Sequence, residues 1–304
     1  MSAITAIGTY LPPWGSEKAR VAGLDEDALT MAVEAGLAAR TASDVEVTRV
    51  VFVSRDLPLL VGGNSAALLR ALGLSNDTET IEQLGGAPAA LDAVAAATPG
   101  TLVVAAELKP SAAGAAVLVG DGDGIAVKGR VHRSLPVIAE LRHGGLYEDD
   151  DPRLVRERGT RVALEALALE SKPFVVAGLS GRESASFSAP GAPGITPTGP
   201  AGALFALAAA LESDQSQTVV ALEQATASAL EVSGRAPVIR VEPIPQALEK
   251  RSTWPGEIKI AYTAYDRAFD SKVGWEAGRC PTCATLAFPP RYRCLLYTSD
   301  AADE

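Results

Sequence analysis

The residues whose spacing could do chemistry lie near the C-terminus: Cys280, Cys283 and Cys294 form C-x2-C-x10-C in the run Arg279-Cys-Pro-Thr-Cys-Ala-Thr-Leu-Ala-Phe-Pro-Pro-Arg-Tyr-Arg-Cys294. Two residues between the first pair let one tight turn present both thiolates to a tetrahedral ion, so the pair reads as a zinc knuckle. A second C-x2-C would complete four ligands and needs a cysteine at position 297, where Tyr297 stands. Water or Asp300 would have to supply the fourth ligand, and the zinc site is incomplete as written. Three cysteines this clustered do not make the disulfide framework of a secreted protein.

Other reactive groups are sparse. The only histidines, His132 and His143, lie in or beside the polar stretch from Val131 to Arg158 and read as solvated residues before catalytic bases. Asp149, Asp150 and Asp151 could hold a cation, but an acidic surface loop is the simpler reading. Ser111 and Ser180 stand near strand ends without the G-x-S-x-G pattern of an activated serine, and read as turn residues.

The elements that must position any site follow from apolar periodicity. Asp25 to Arg40 opens with acids and then places Leu29, Ala32, Val33, Gly36 and Leu37 at helical spacing. Val50 to Val53 is a short, wholly apolar run of the kind buried on both faces of a sheet. Pro88 to Ala97 reads as a helix, with Thr101 to Ala106 and Gly114 to Gly120 as strands. The same order recurs as a helix over Ala201 to Glu212 and strands over Thr218 to Leu222 and Thr226 to Val232. The offset is roughly 110 to 120 residues, and each copy opens on a glycine-rich lead, which predicts an internal duplication of an α/β half. The prolines at 237, 243, 245 and 255 predict an irregular linker beyond Gly234.

Composition agrees with a folded chain: of 304 residues, 47% are hydrophobic and 21% charged. This length predicts two structural units of ordinary size. A net charge of -10 and a pI near 4.9 exclude a nucleic-acid partner on electrostatic grounds. No segment has the ~18 uninterrupted apolar residues of a membrane span. The opening MSAITAIGTYLPP lacks a signal peptide's basic region, so a cytoplasmic protein is expected.

Several phrases together resemble the hydroxymethylglutaryl-CoA synthase-like branch of the thiolase superfamily, close to the 3-oxoacyl-ACP synthase III type. They are Ile4 to Pro13, Gly23 to Ala32, Gly85-Gly86 before an alanine-rich helix, Gly114 to Gly120, and Thr198 to Ala203. The resemblance covers about the first 240 residues. It implies an α/β fold of two similar halves in αβαβα layers, here residues 1–133 and 134–240, and a homodimer that binds a coenzyme A thioester.

The family resemblance also implies a Cys nucleophile on the helix after the first half's central strand, and a His with an Asn or second His from the second half. In this sequence the nucleophile stretch is read as Thr80 to Gly86, with Gln83 at the expected position. The stretch expected to hold the His, Ser184 to Pro190, has none, and Thr198 stands where an Asn is expected. Glu82 falls where the family often has an acid or polar residue near the nucleophile. The expectation is therefore no catalytic set. The leading reading is an acyl-CoA-binding or complex-forming protein beside a thiolase or synthase partner. The alternative is an active acyltransferase or aldolase.

Residues 279–294 resemble the zinc ribbon of an acyl-CoA-associated module known as a domain of unknown function, in which Phe-Pro-Pro-Arg lies between two cysteine pairs. In that family an aromatic-rich helix precedes the ribbon, matched by Tyr262, Tyr265 and Phe269 within the linker 241–278, and an OB-fold follows. The last residues, 295–304, fit neither family and resemble a translated sequencing adapter. The expectation is a natural chain that continues past Cys294 into a fourth ligand and the missing OB-fold.

Overall fold

The computed structural model describes residues 2–23, 25–59, 63–133, 135, 138–140, 146–148, 151–213, 215–247 and 277–287. In chain order the first half runs β1 (Ser2–Tyr10), β2 (Trp14–Ser16), β3 (Ala19–Val21), α1 (Ala28–Thr41), β4 (Arg49–Ser54), α2 (Ser65–Leu72), β5 (Glu79–Leu84), α3 (Ala87–Ala96), β6 (Thr101–Glu107) and β7 (Ala113–Asp121). The second runs β8 (Ile125–Val131), β9 (Ile138–Glu140), β10 (Leu146–Glu148), α4 (Pro152–Arg158), α5 (Thr160–Ala166), β11 (Val175–Ala177), α6 (Gly181–Phe187), α7 (Pro200–Leu211), β12 (Gln217–Glu223) and β13 (Thr226–Val232). β14 (Val238–Val241) follows, then β15 (Gly278–Arg279) and β16 (Leu286–Ala287).

The chain divides into two compact units, residues 1–63 with 78–248 and residues 64–77 with 249–304. The two large sheets of the first unit are ordered β14-β1-β7-β6-β4-β5 and β11-β12-β13-β8, and the short pairs β2-β3 and β9-β10 lie in the same unit. Matching β8 to β1, β13 to β7, β12 to β6 and β11 to β4, the second order is the first without the edge strand β14 and without β5, the third strand of its sheet in the first half. The segment that would form the counterpart of β5, Ser188 to Gly199, carries Pro190, Pro193 and Pro197, which cannot donate to a ladder. α1 covers the outer face of the six-stranded sheet, α3 and α7 lie between the sheets, and α5 covers the outer face of the other. That stacking is the expected αβαβα arrangement.

Burial explains why these residues make these elements. Each residue of β6 is buried, as are Ala113 to Gly120 of β7, because both lie in a sheet covered on both faces. α7 is buried all round except at Ala209, which is what a helix clamped between two sheets requires. α1 faces the core on one side only. It starts at the N-cap Asp27, whose carboxylate accepts from Thr30 N–H at 2.8 Å while Thr30 Oγ1 accepts from Asp27 N–H at 2.8 Å. β1 approaches α1 so closely that a Cβ at Gly8 would collide with the carbonyl of Ala35.

Three sequence readings change here. β14 pairs in parallel with β1 where a linker was expected, and Pro237 is tolerated because it precedes an edge strand and only accepts, from Ile7 N–H at 3.0 Å. The polar middle, expected as a loop, contains α4, started by Pro152 after Asp151, whose carboxylate caps Arg153 N–H at 2.9 Å. β8 lies before residue 133 yet pairs with β13, so it belongs to the second sheet. In the second unit, α2 ends on Gly73 with φ of 65°. β15 and β16 form a short hairpin. Residues 248–276 and 288–304, including the aromatic helix expected at Tyr262, Tyr265 and Phe269, the third cysteine and the adapter-like end, lie outside the described residues.

Candidate functional site

The two inner helices start close to charged side chains delivered by strand ends. α3 starts at Ala87 after Gly85-Gly86, with Pro88 in its first turn and no side-chain cap. α7 starts in the same way, at Pro200 after Gly199. Glu107, the last residue of β6, is 2% exposed and lies at the start of α7. Its carboxylate accepts from the backbone N–H of Thr198 at 2.9 Å, Gly199 at 2.7 Å and Ala201 at 3.1 Å. It thereby meets the donors that the helix start leaves unpaired. Burial pushes its pKa from the ordinary 4.5 up to about 7, against the opposite pull of those N–H donors.

Glu223, the last residue of β12, is placed likewise at the start of α3. There it pairs with Arg55, and a Cβ on Gly86 would collide with both side chains. Arg55 follows the end of β4. Burial lowers its pKa, while the carboxylates of Glu107 and Asp56 raise it. Asp56 in turn accepts from Leu108 N–H at 2.8 Å, which ties the ends of β4 and β6 together. Gly178, after β11, completes the junction: a Cβ there would stand 3.1 Å from Ala87 Cβ and collide with the carbonyl of Leu222.

Gln83 is not at the helix start. It lies in β5 opposite Val53, because Glu79 to Leu84 pairs with β4 until the two glycines end the strand. The first helical position is Ala87, whose methyl group can form no thioester. Glu82 lies beside Gln83 in β5, opposite Phe52. The stretch from Ser184 forms α6 and then turns back. Ser188 Oγ accepts from Val176 N–H at 2.9 Å and donates to Ser184 O at 2.7 Å, so these serines fasten α6 to β11. From the second half, Gly178 and Glu223 reach the start of α3 instead. Thr198 lies at the start of α7, where its backbone N–H serves Glu107.

His132 is 59% exposed, with Nε2 3.5 Å from Asp92 Oδ2. Asp92 also accepts from Arg130 at 2.7 Å and Ser228 at 2.9 Å. Ser111 Oγ accepts from Arg20 N–H at 2.9 Å, and Ser180 Oγ donates to Glu183 at 2.8 Å at the start of α6. His143, Asp149 and Asp150 lie outside the described residues. Sequence reasoning missed Glu107, Glu223, Arg55 and Gly178. A signal was present for the acids, since two otherwise apolar strands, Val103-Val-Ala-Ala-Glu107 and Val219-Val-Ala-Leu-Glu223, end alike on Glu.

Cys280 and Cys283 share the turn between β15 and β16. Cys280 N–H donates to Thr285 O, and Ala284 N–H to Cys280 O, both at 2.9 Å. Cys283 Sγ donates to Thr285 Oγ1 at 3.2 Å. Two thiols on one tight turn suit half of a tetrahedral zinc set. Cys294 lies outside the described residues, and among those described no three potential metal ligands gather.

Among solved structures the chain is similar to 3-oxoacyl-[acyl-carrier-protein] synthase III from Aquifex aeolicus VF5, at 13% identity and a TM-score of 0.61 over 76% of this chain and 100% of that one. It is also similar to a histidine-to-aspartate variant of OleA from Xanthomonas campestris, at 15% identity and a TM-score of 0.61 over 76% and 98%. A third is FabH from Pseudomonas aeruginosa PAO1, at 14% identity and a TM-score of 0.58 over 77% and 98%. No family model and no curated protein matches the sequence. The fold is thiolase-like, as in these structures.

Proposed function

We propose that this chain is a thiolase-like protein, related to hydroxymethylglutaryl-CoA synthase, that binds an acyl-CoA or docks on a thiolase or synthase partner without forming an acyl-enzyme. The observation that carries this reading is the start of α3. Ala87 stands at the first helical position, Gly178 faces it, and the Arg55–Glu223 pair lies on Gly86. Nucleophilic acyl transfer needs a thiolate or an equivalent beside a base there. Calorimetric titration with acetyl-CoA and acetoacetyl-CoA, followed by intact mass measurement, tests the reading: binding or partner docking without covalent acylation is expected, and an acylated residue would overturn it.

A second reading is favoured by Glu107. A buried carboxyl with a pKa near 7 is poised for general-base work at neutral pH, which aldol or decarboxylative chemistry on an acyl-CoA could use without a cysteine. Turnover of acetoacetyl-CoA that Glu107→Gln abolishes would establish it.

The same proposal includes a homodimer, zinc on Cys280, Cys283 and Cys294, and a cytoplasmic location. The dimer is supported by β5, which ends the six-stranded sheet with Ile81 42% and Leu84 74% exposed. Zinc is supported by the turn that carries the first two cysteines. No helix among the described residues is long and apolar enough to cross a membrane.

A further inference from the structure

The duplicated halves treat the starts of their inner helices reciprocally. β6 and β12 hold the same place in their sheets, and each ends on a glutamate. Glu107 crosses from the first half to the start of α7 in the second, and Glu223 crosses from the second half to the start of α3 in the first.

The two contacts differ in how firmly they are held. Glu107 is buried and fastened by three backbone N–H groups. Glu223 is held by Arg55, with the two side chains 28% and 49% exposed, and solvent-accessible ion pairs of this kind open at little cost. Glycine at 86 is what lets the pair sit down on the helix start, since any side chain there would push both groups away. A carboxylate at a helix N-terminus is favoured by the aligned peptide dipoles, more strongly than a neutral carbonyl would be. A thioester carbonyl approaching Ala87 past Gly86 would meet that pair.

We propose that the Arg55–Glu223 pair is an internal plug on the start of α3, and that an acyl thioester enters only when the pair opens. The identity of that ligand rests on the acyl-CoA reading above, whereas the plug itself rests on the geometry of the pair.

The test introduces Ala87→Cys into a chain carrying Cys280→Ser, Cys283→Ser and Cys294→Ser. It follows alkylation of the new thiol by iodoacetamide through peptide mass spectrometry. Glu223→Gln, which keeps the shape and removes the charge, Glu223→Gly, and Arg55→Ala, which breaks the pair from the other side, are each added in turn. Thermal unfolding reports whether each variant is folded. Labelling about two- to fivefold faster in the folded opened variants is expected for a pair held this loosely, and an unchanged rate in both Glu223→Gln and Arg55→Ala would overturn the plug. Acetyl-CoA is then added to the opened variants. Slower labelling supports the thioester as the ligand. Fast labelling that acetyl-CoA does not slow would overturn that assignment and leave the plug standing.

Discussion

Glu107 links the ionisation of one residue to the stability of the whole first unit. Its carboxyl holds a proton in the folded state up to about pH 7, whereas an unfolded chain releases that proton near the ordinary 4.5. Between those values the folded state binds more protons, so stability falls as pH rises, and this contribution is flat below and above the window. The expected loss is on the order of 3 kcal/mol, from ~1.4 kcal/mol per pH unit. Urea unfolding at pH values from 4.5 to 8 should show this slope in the natural chain and not in Glu107→Gln. Equal slopes would mean that the backbone donors, and not burial, set the ionisation of Glu107. The sequence signalled this residue only as an acid closing an apolar strand; that it caps a helix of the other half depends on how the halves stack.

The helices owe their stability to burial in unequal measure. Leu204 and Leu207 of α7 are fully buried between the sheets, whereas Leu37 of α1 is 36% exposed. Leu204→Ala is therefore expected to cost about 2–5 kcal/mol, from the lost transfer energy and the cavity left behind. Leu37→Ala should cost under about 1 kcal/mol. Chemical denaturation with a shared m-value decides this, and similar costs for the two would contradict the layered arrangement. The periodic and wholly apolar runs made these elements legible in advance: α1, β4, α3, β6, β7, α7, β12 and β13 fall within a few residues of their sequence boundaries. β14 was not legible, because its pairing comes from β1, far away in the chain, and the surrounding prolines read locally as loop.

For the whole molecule, assembly and metal content are the measurable consequences. An open edge with exposed Ile81 and Leu84 is a surface that a second copy can cover. Leu84→Lys is expected to shift the chain from dimer toward monomer in sedimentation velocity, and a monomeric natural chain would refute the dimer. Zinc content read by plasma emission should fall in Cys280→Ser relative to the natural chain. An unchanged content would remove Cys280 from the ligand set.

The sequence by itself determined the α/β class and the duplication. Those properties are local in pattern: a buried strand must be apolar, and a repeated order repeats its fold. Only the tertiary structure decided where the junction lies and what fills it. Gln83 moved onto a strand and Ala87 to the helix start because the pairing of β5 with β4, and not residue type, sets where the strand ends. Arg55, Glu107, Gly178 and Glu223 are distant in the chain. They meet because two sheets that share a core strand order are stacked on one layer of helices, and a linear sequence does not express that stacking.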